Sequence, residues 1–171
     1  MRVLVAVASR HGGTREIGSL VAAELRTRGY DADVRDPESV ESIDAYGAVV
    51  IGSAVYSAHW MPAAREFAKR FEAELLARPV WLFSSGLATA PAAAANSPAE
   101  TLALMQAIGA TNHRAFGGQL DRGVLNFAER AIIAAARGKE GDHRDLVAVV
   151  EWAREIADRL DADAGTTTAT A

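Results

Sequence analysis

Six consecutive residues near the start of the chain combine hydroxyl groups, an imidazole, a guanidinium and two glycines. They are Ser9, Arg10, His11, Gly12, Gly13 and Thr14. Glycine lets the backbone approach a ligand closely, and a helix that begins near Gly13 has N–H groups without intrahelical partners. Such groups and the helix dipole attract anions, so the segment predicts a phosphate site. The alternative is an ordinary strand-to-helix turn in which Thr14 caps the helix.

Other phosphate-binding loops have spacings that this chain lacks. Neither the G-x-G-x-x-G dinucleotide fingerprint nor the G-x-x-x-x-G-K-[ST] P-loop occurs in the sequence. A mononucleotide is therefore favoured over FAD or NAD. A phospho-aspartate switch is also disfavoured, because Ser9 and Arg10 stand where a cluster of acids would be needed.

Two further polar segments follow predicted strands. The segment GSAVYSAHW, residues 52–60, presents Tyr56, His59 and Trp60 after a run of small residues. An aromatic side chain beside a phosphate site suits stacking on a planar ring. The alternatives are that Trp60 completes the core, that Tyr56 is a surface tyrosine and that His59 is solvated. The other segment, Ser84-Ser85-Gly86-Leu87, offers backbone and hydroxyl groups but little specificity.

Several kinds of chemistry are excluded by residue type or spacing. The chain has no cysteine, so any redox chemistry would come from a bound cofactor. Neither a G-x-S-x-G elbow nor an H-E-x-x-H zinc motif is present, and the four histidines are not spaced as metal ligands. We therefore predict no metal site. The acids between Gly141 and Asp145 are predicted to cap the helix that follows.

Composition predicts a single domain. The chain has 171 residues, of which 50% are hydrophobic, and this suits one domain over residues 1–162 followed by a disordered tail over 163–171. A net charge of -4 argues against a nucleic-acid partner. No apolar run approaches a membrane span and no signal-peptide pattern is seen, so we expect a cytoplasmic protein. The oligomeric state stays open.

The elements that must position these segments alternate along the chain. Apolar runs and helical periodicity predict strands over residues 3–8, 31–35, 48–51, 79–83 and 113–116, and helices over 14–28, 62–76, 100–108, 124–137 and 146–160. Alternating strands and helices are typical of a parallel sheet with right-handed crossovers. We therefore predict an α/β fold, a doubly wound five-stranded parallel sheet with helices on both faces.

These segments together resemble the flavodoxin superfamily, and most closely its branch of menaquinone-dependent protoporphyrinogen oxidases. Flavodoxins usually have [ST]-x-T-G-x-T in the phosphate loop, and the branch often has T-R-D-G-x-T-R-E-I-A where this chain has SRHGGTREIG. The segments GSAVYSAHW and GDHRDLVAVVEWAREIA are similar to the branch's other two patterns, G-[SA]-[SA]-[IV] and G-D-[FY]-R-D-W. The resemblance extends to about residue 162.

The resemblance implies a flavodoxin-like strand order of 2-1-3-4-5 and noncovalent FMN. The phosphate would lie on residues 9–14. The isoalloxazine ring would lie between two groups of residues: Ala54, Val55, Tyr56 and Ser57 in one, and Ser85, Gly86 and Leu87 in the other. The implied function is that of a flavoprotein oxidoreductase with a small-molecule electron donor or acceptor, for which a quinone is one candidate.

Two alternatives stay open: a flavodoxin-type electron carrier, and a non-redox module that binds another phosphorylated ligand. Electron-carrying flavodoxins are strongly acidic around the exposed ring edge, and a charge of -4 over this length is mild. This comparison favours the enzyme. No side chain is predicted as a catalytic acid or base.

Overall fold

The computed structural model describes residues 1–56, 58–86, 99–120, 123, 125–128, 130–131 and 141–168. Its strands are β1 (Arg2–Ala8), β2 (Asp31–Arg35), β3 (Ala48–Tyr56), β4 (His59–Trp60), β5 (Val80–Gly86), β6 (Asn112–Gly117), β7 (Gln119–Leu120) and β8 (Gly141–Asp142). Its helices are α1 (Gly13–Thr27), α2 (Pro62–Arg70), α3 (Glu72–Leu76), α4 (Ala99–Ala107) and α5 (Leu146–Thr168). A short 3₁₀ turn, Pro37–Ser39, follows β2.

Five parallel strands form the main sheet in the order β2-β1-β3-β5-β6. Counted among these five alone, this is the predicted order 2-1-3-4-5, so both the fold class and the strand order are confirmed. Two short antiparallel pairings were not predicted: β4 returns along the end of β3, and β7 pairs with β8.

Each face of the sheet carries its own core because successive strand residues point to opposite faces. On one face, Val3, Val5 and Val7 of β1 pack with α1 and α5. On the other face, Leu4 and Ala6 pack with α2 and α3 and with Ile108 beyond the end of α4. The continuous apolar run of β1 therefore reflects a strand that is buried on both sides.

The third and fourth major strands are longer than predicted. We expected them to end at residues 51 and 83, but β3 continues to Tyr56 and β5 to Gly86. Parallel pairing continues past Gly52, from Ser53 to Ser84 and from Ala54 to Ser85. Gly52 does not end the strand; it makes room for the ring of Phe83, which a Cβ there would meet at 2.1 Å.

Several helix boundaries also differ from the prediction. The helix predicted over residues 62–76 is divided at Phe71 into α2 and α3. The last helix continues to Thr168, beyond the domain end predicted at 162, and the division of the chain at that point stays a prediction. Much of the helix predicted over 124–137 lies outside the described residues. Within the described part of the chain, no helix is both long enough and apolar enough to span a membrane.

Candidate functional site

The polar segments predicted to bind a ligand meet at one edge of the sheet. All five major strands are parallel, so their carboxyl ends lie together. The register aligns Ala8 with Ser53 and Ala54 with Ser85. The edge therefore brings together residues 9–14, the end of β3 and the end of β5, as predicted.

The predicted phosphate loop, residues 9–14, takes its shape from its backbone and is called the phosphate loop below. Gly12 has a φ of +90° and stands at the N-cap of α1, where no side chain of the described residues caps the helix. Its N–H donates to Ser9 Oγ at 3.2 Å. The alternative in which Thr14 caps the helix is therefore wrong, because Thr14 is a buried residue of the first helical turn. The N–H groups of the first turn of α1 have no intrahelical acceptors, so they are able to receive an anion.

Space next to Gly12 is open. A Cβ built on this glycine meets no atom of the described residues within 4 Å, so a ligand can approach the backbone closely there. An open nest of N–H groups at a helix N-terminus fits the terminal phosphate of a mononucleotide.

Arg144 braces this loop from the far end of the chain. Its guanidinium donates to the Gly13 carbonyl at 3.2 Å and to Glu16 at 2.6 Å. It also bonds Asp142 at 2.7 Å, and its side chain is only 5% exposed. The hydrogen bond from Arg144 lowers the pKa of Asp142 to about 2. Its two acidic partners, Glu16 and Asp142, offset the positive charge of Arg144. We therefore infer that Arg144 stabilises the shape of the loop more than it adds positive charge.

From its sequence, the segment that carries Arg144 is predicted only to cap the helix that follows. That role is confirmed, because Asp145 Oδ1 accepts the N–H of Ala148 at 3.0 Å. The contact of Arg144 with the loop was missed. The only hint in the sequence was the similarity of this segment to the pattern G-D-x-R-D. That similarity indicates that the arginine has a structural role, but it does not show which residue the arginine contacts.

The second segment is a β-hairpin rather than a loop. Ala54 and Val55 belong to β3, and Val55 and Tyr56 pair with Trp60 and His59 of β4. Trp60 is 1% exposed and belongs to the core, as one alternative held, whereas Tyr56 is 37% exposed. Tyr56 is thus placed at the surface of the strand edge. Ser57, predicted as a contact, lies outside the described residues.

Buried side chains fasten this hairpin to the sheet. The indole N–H of Trp60 donates to Ser84 Oγ at 2.7 Å, and Ser84 Oγ lies 2.8 Å from Nε2 of His113. Burial lowers the pKa of His113 to about 4, so the ring is neutral near pH 7 and Nε2 can accept the serine proton. Ser53 Oγ accepts the N–H of Met61 at 2.9 Å. The hairpin is therefore held by residues of β3, β5 and β6.

Glu100 adds a fastening from α4. Its carboxylate accepts the backbone N–H of Trp60, and it lies 3.3 Å from His59 Nδ1 and 3.7 Å from Arg65. The side chain of His59 is largely exposed, yet it has this acidic neighbour, so it is not merely solvated. Sequence reasoning missed Glu100, which lies about 40 residues away from the hairpin.

The third segment is part of β5. Ser84 and Ser85 are buried, and Ser85 Oγ donates to the Gly117 carbonyl at 3.2 Å. The hydroxyl groups of both serines therefore form hydrogen bonds within the protein. The expectation that the two serines belong to a loop is wrong, because both lie in β5. Gly86 ends the strand at the site, and Leu87 lies outside the described residues. Contact of Ser85 and Gly86 with a flavin ring stays a prediction.

A cavity of about 500 Å³ opens between the phosphate loop, the hairpin and the first turn of α2. It is lined by Arg10, Tyr56, His59, Trp60, Met61, Pro62 and Arg65. Arginine, histidine and aromatic side chains thus share one concave surface. Such a surface can receive a planar molecule that carries negative charge.

Comparison with known proteins agrees with this geometry. The flavodoxin domain model matches residues 4–146, and the chain belongs to this family. Family membership indicates FMN as the cofactor and a flavoprotein with redox function. The resemblance found in the sequence, and the FMN prediction drawn from it, are therefore confirmed.

One curated relative is the protoporphyrinogen IX dehydrogenase [quinone] of Escherichia coli (strain K12). It is 35% identical over 89 residues, which cover 51% of this chain and 49% of the relative. The match therefore spans about half the length of that relative, and the relative's substrates do not pass to this chain by similarity alone.

Solved structures share the fold at low sequence identity. A flavodoxin from the domain Archaea has a TM-score of 0.62 at 15% identity, covering 94% of this chain and 99% of that one. Oxidised flavodoxin 1 from Bacillus cereus has a TM-score of 0.65 at 15% identity, covering 92% and 98%. The rubredoxin oxygen:oxidoreductase of Desulfovibrio gigas has a TM-score of 0.64 at 15% identity, covering 94% of this chain and 36% of that one.

Proposed function

We propose that this FMN-type redox protein is an enzyme that moves electrons between a small organic donor and a quinone. The observation that carries the proposal is the 500 Å³ cavity beside Tyr56. An electron carrier needs an exposed flavin edge and a surface on which a protein partner docks. An enzyme needs a concave site for a small molecule next to the ring, and the part of the cavity wall beyond Tyr56, from His59 to Arg65, would line such a site once the ring lies against Tyr56.

The charge of the cavity supports a small anionic donor over a basic protein partner. Arg10, His59 and Arg65 line it. The carboxylate of Glu100 lies 3.3 Å from His59 and 3.7 Å from Arg65, so two arginines face one carboxylate and the surface keeps a positive charge. A basic concave surface attracts carboxylates and repels a cationic docking face. A porphyrinogen, the donor class named for the curated relative, carries such carboxylates.

The proposed roles of the residues follow from their positions. Residues 9–14 hold the phosphate, and Tyr56 lies against the ring system. FMN, when bound, supplies the redox chemistry itself. The fastened hairpin keeps Tyr56 and the cavity wall in place, and the apolar part of the wall, Trp60 and Met61, excludes water from the reacting edge. A cytoplasmic location belongs to the same proposal and is tested by cell fractionation.

The first experiment establishes the cofactor. The protein purified with added FMN should have a flavin spectrum, and FMN should bind much more tightly than FAD because the nest is built for a terminal phosphate. Equal affinity for FAD would contradict the phosphate-loop assignment. A colourless protein would favour the non-redox module.

The second experiment separates enzyme from carrier. The bound flavin is reduced chemically, and its reoxidation by menadione and by cytochrome c is followed at low and high salt. We expect rapid oxidation by menadione with little salt dependence, because no charge steering is needed for a neutral quinone. Fast, salt-sensitive transfer to cytochrome c with no menadione reaction would establish a carrier. Protoporphyrinogen is tested separately as the electron donor. If menadione oxidises the flavin but protoporphyrinogen does not reduce it, this donor is excluded and the protein is still an enzyme.

A further inference from the structure

A second, smaller cavity lies behind the hairpin. It has a volume of about 270 Å³ and is bounded by Trp60 and Arg65 on one side and by α4 on the other. The α4 wall consists of Thr101, Ala103, Leu104 and Ala107, with Glu100 at its start. This wall is mostly apolar, in contrast to the basic cavity beside Tyr56.

One polar group in this wall has no partner. Thr101 is 1% exposed, and its Oγ1 makes no hydrogen bond within the described part of the chain. Buried hydroxyl groups are nearly always paired, so an unpaired one needs an explanation. The Oγ1 atom has almost no accessible surface, so rotation of the Thr101 side chain toward the cavity would be needed before a ligand acceptor could supply the missing partner.

The two cavities share a wall. Trp60 and Arg65 line both of them, so a molecule in the smaller cavity lies next to the surface where Tyr56 and the phosphate loop meet. The smaller cavity is therefore placed to hold a second molecule while FMN occupies its own site.

We propose that this smaller cavity is the quinone site, with a ring carbonyl accepting a hydrogen bond from Thr101. This inference rests on the proposed function. A volume somewhat below the usual range of about 300–1,000 Å³ for ligand pockets suits a molecule of one or two rings. The apolar wall matches a neutral ring, and Arg65 is a second donor for the opposite carbonyl. The carboxylate of Glu100 at the wall disfavours an anionic ligand.

Thr101→Val tests the hydrogen bond with almost no change of shape. The buried hydroxyl has no partner among the described residues, so its removal should leave FMN affinity unchanged and should keep or raise thermal stability. Menadione binding to the oxidised FMN-loaded protein, measured by equilibrium dialysis, should weaken about 2- to 10-fold, the worth of one hydrogen bond. A purely structural threonine would leave menadione binding unchanged, and that result would overturn the proposal.

Ala103→Phe tests the cavity itself by filling it. We expect menadione binding to fall at least about tenfold and the KM for menadione to rise, because the ring competes for the same space. Reoxidation by ferricyanide, which needs no pocket, should keep its rate. The matched control is Gln106→Phe, because Gln106 is exposed on the same helix and does not line the cavity. It should bind menadione as the wild type does.

The outcomes separate this inference from the proposed function. If menadione oxidises the reduced wild type but both variants bind it normally, the quinone site lies elsewhere and the proposed function stands. If menadione binds and both variants weaken it, yet the wild type is not oxidised by it, the site stands and the quinone-linked function fails. If menadione does not bind the wild type at all, the cavity is not a quinone site.

Discussion

The phosphate loop and the β3–β4 hairpin lie side by side at the same edge of the sheet, but they are held in different ways. The loop takes its shape from consecutive residues, above all from the positive φ of Gly12 and its bond to Ser9. The hairpin is held by side chains from elsewhere, such as Ser84 and Glu100. Changes in the loop should therefore act on the ligand, and changes around the hairpin should act first on stability.

The largest effect is expected from Gly12→Val. Valine is unfavourable at a φ of +90°, so the loop would abandon the conformation that directs its N–H groups at the phosphate. We expect FMN affinity to fall at least about 100-fold, with the circular dichroism spectrum unchanged. Fluorescence titration with FMN measures the loss.

The matched control is Gly29→Val at the other end of α1. Gly29 has a similar φ of +86° and is equally open around its Cβ position. The backbone strain, about 1–3 kcal/mol, is therefore comparable, but the site is remote. If Gly29→Val weakened FMN binding as much as Gly12→Val, the loop would have no special role.

Tyr56→Ala should have the next largest effect on FMN. If Tyr56 stacks on the ring, the change weakens binding by about 1–3 kcal/mol, by analogy with aromatic stacking on nucleic-acid bases. It should also raise the fluorescence of the bound flavin. Tyr56→Phe keeps the stacking ring and should retain most of the affinity. Unchanged affinity and fluorescence in Tyr56→Ala would mean that Tyr56 only covers the surface.

Ser84→Ala tests the fastening of the hairpin. It removes the acceptor of the Trp60 indole N–H and the partner of His113 in a buried place. We expect the free energy of unfolding to fall by about 1–3 kcal/mol, with a smaller loss of FMN affinity. Denaturant unfolding measures it, and Ser39→Ala, at an exposed serine, is the control. An FMN loss as large as that of Gly12→Val would remove the distinction between the two regions.

The last prediction concerns the pH dependence of stability. The pKa of His113 is about 4 in the folded protein, against 6.5 for an ordinary histidine. Between these values the unfolded chain takes up a proton that the folded chain does not, so the free energy of unfolding falls as the pH drops from about 6.5 to 4. His113→Gln removes this titration. The free energy of unfolding should then depend less steeply on pH in this window, by an amount equivalent to at most one bound proton. An identical slope in both proteins would mean that His113 does not titrate as its burial indicates.

The ease of prediction also differs between the two regions. The turn at residues 9–14 could be predicted because backbone conformation, glycine placement and the helix start are local properties, whereas phosphate binding by this turn stays a prediction. The parallel sheet followed from the alternating elements, and its strand order from the resemblance. The ends of β3 and β5 could not be predicted, because Gly52 has the appearance of a strand end until Phe83 is seen to fill its space.

The residues that hold the site together could not be predicted either, because their contacts also depend on residues distant in sequence. Glu100, His113 and Arg144 reach the site from elements far away in sequence, and no spacing rule connects them with residues 9–14 or with the hairpin. Ser84 and Ser85 had the composition of a ligand loop, but pairing with β3 and β6 draws them into the sheet. Side-chain contacts across a sheet depend on tertiary packing, which a single sequence does not display.

The hydrogen bond from Arg144 to the Gly13 carbonyl joins positions 131 residues apart. During synthesis at about 5–20 residues per second, roughly 7 to 26 seconds separate the two residues. A nascent chain therefore presents the phosphate loop long before its brace exists. Tight uptake of FMN should follow release of the segment around Arg144 from the ribosome, so flavin loading reports that the chain has been made at least that far.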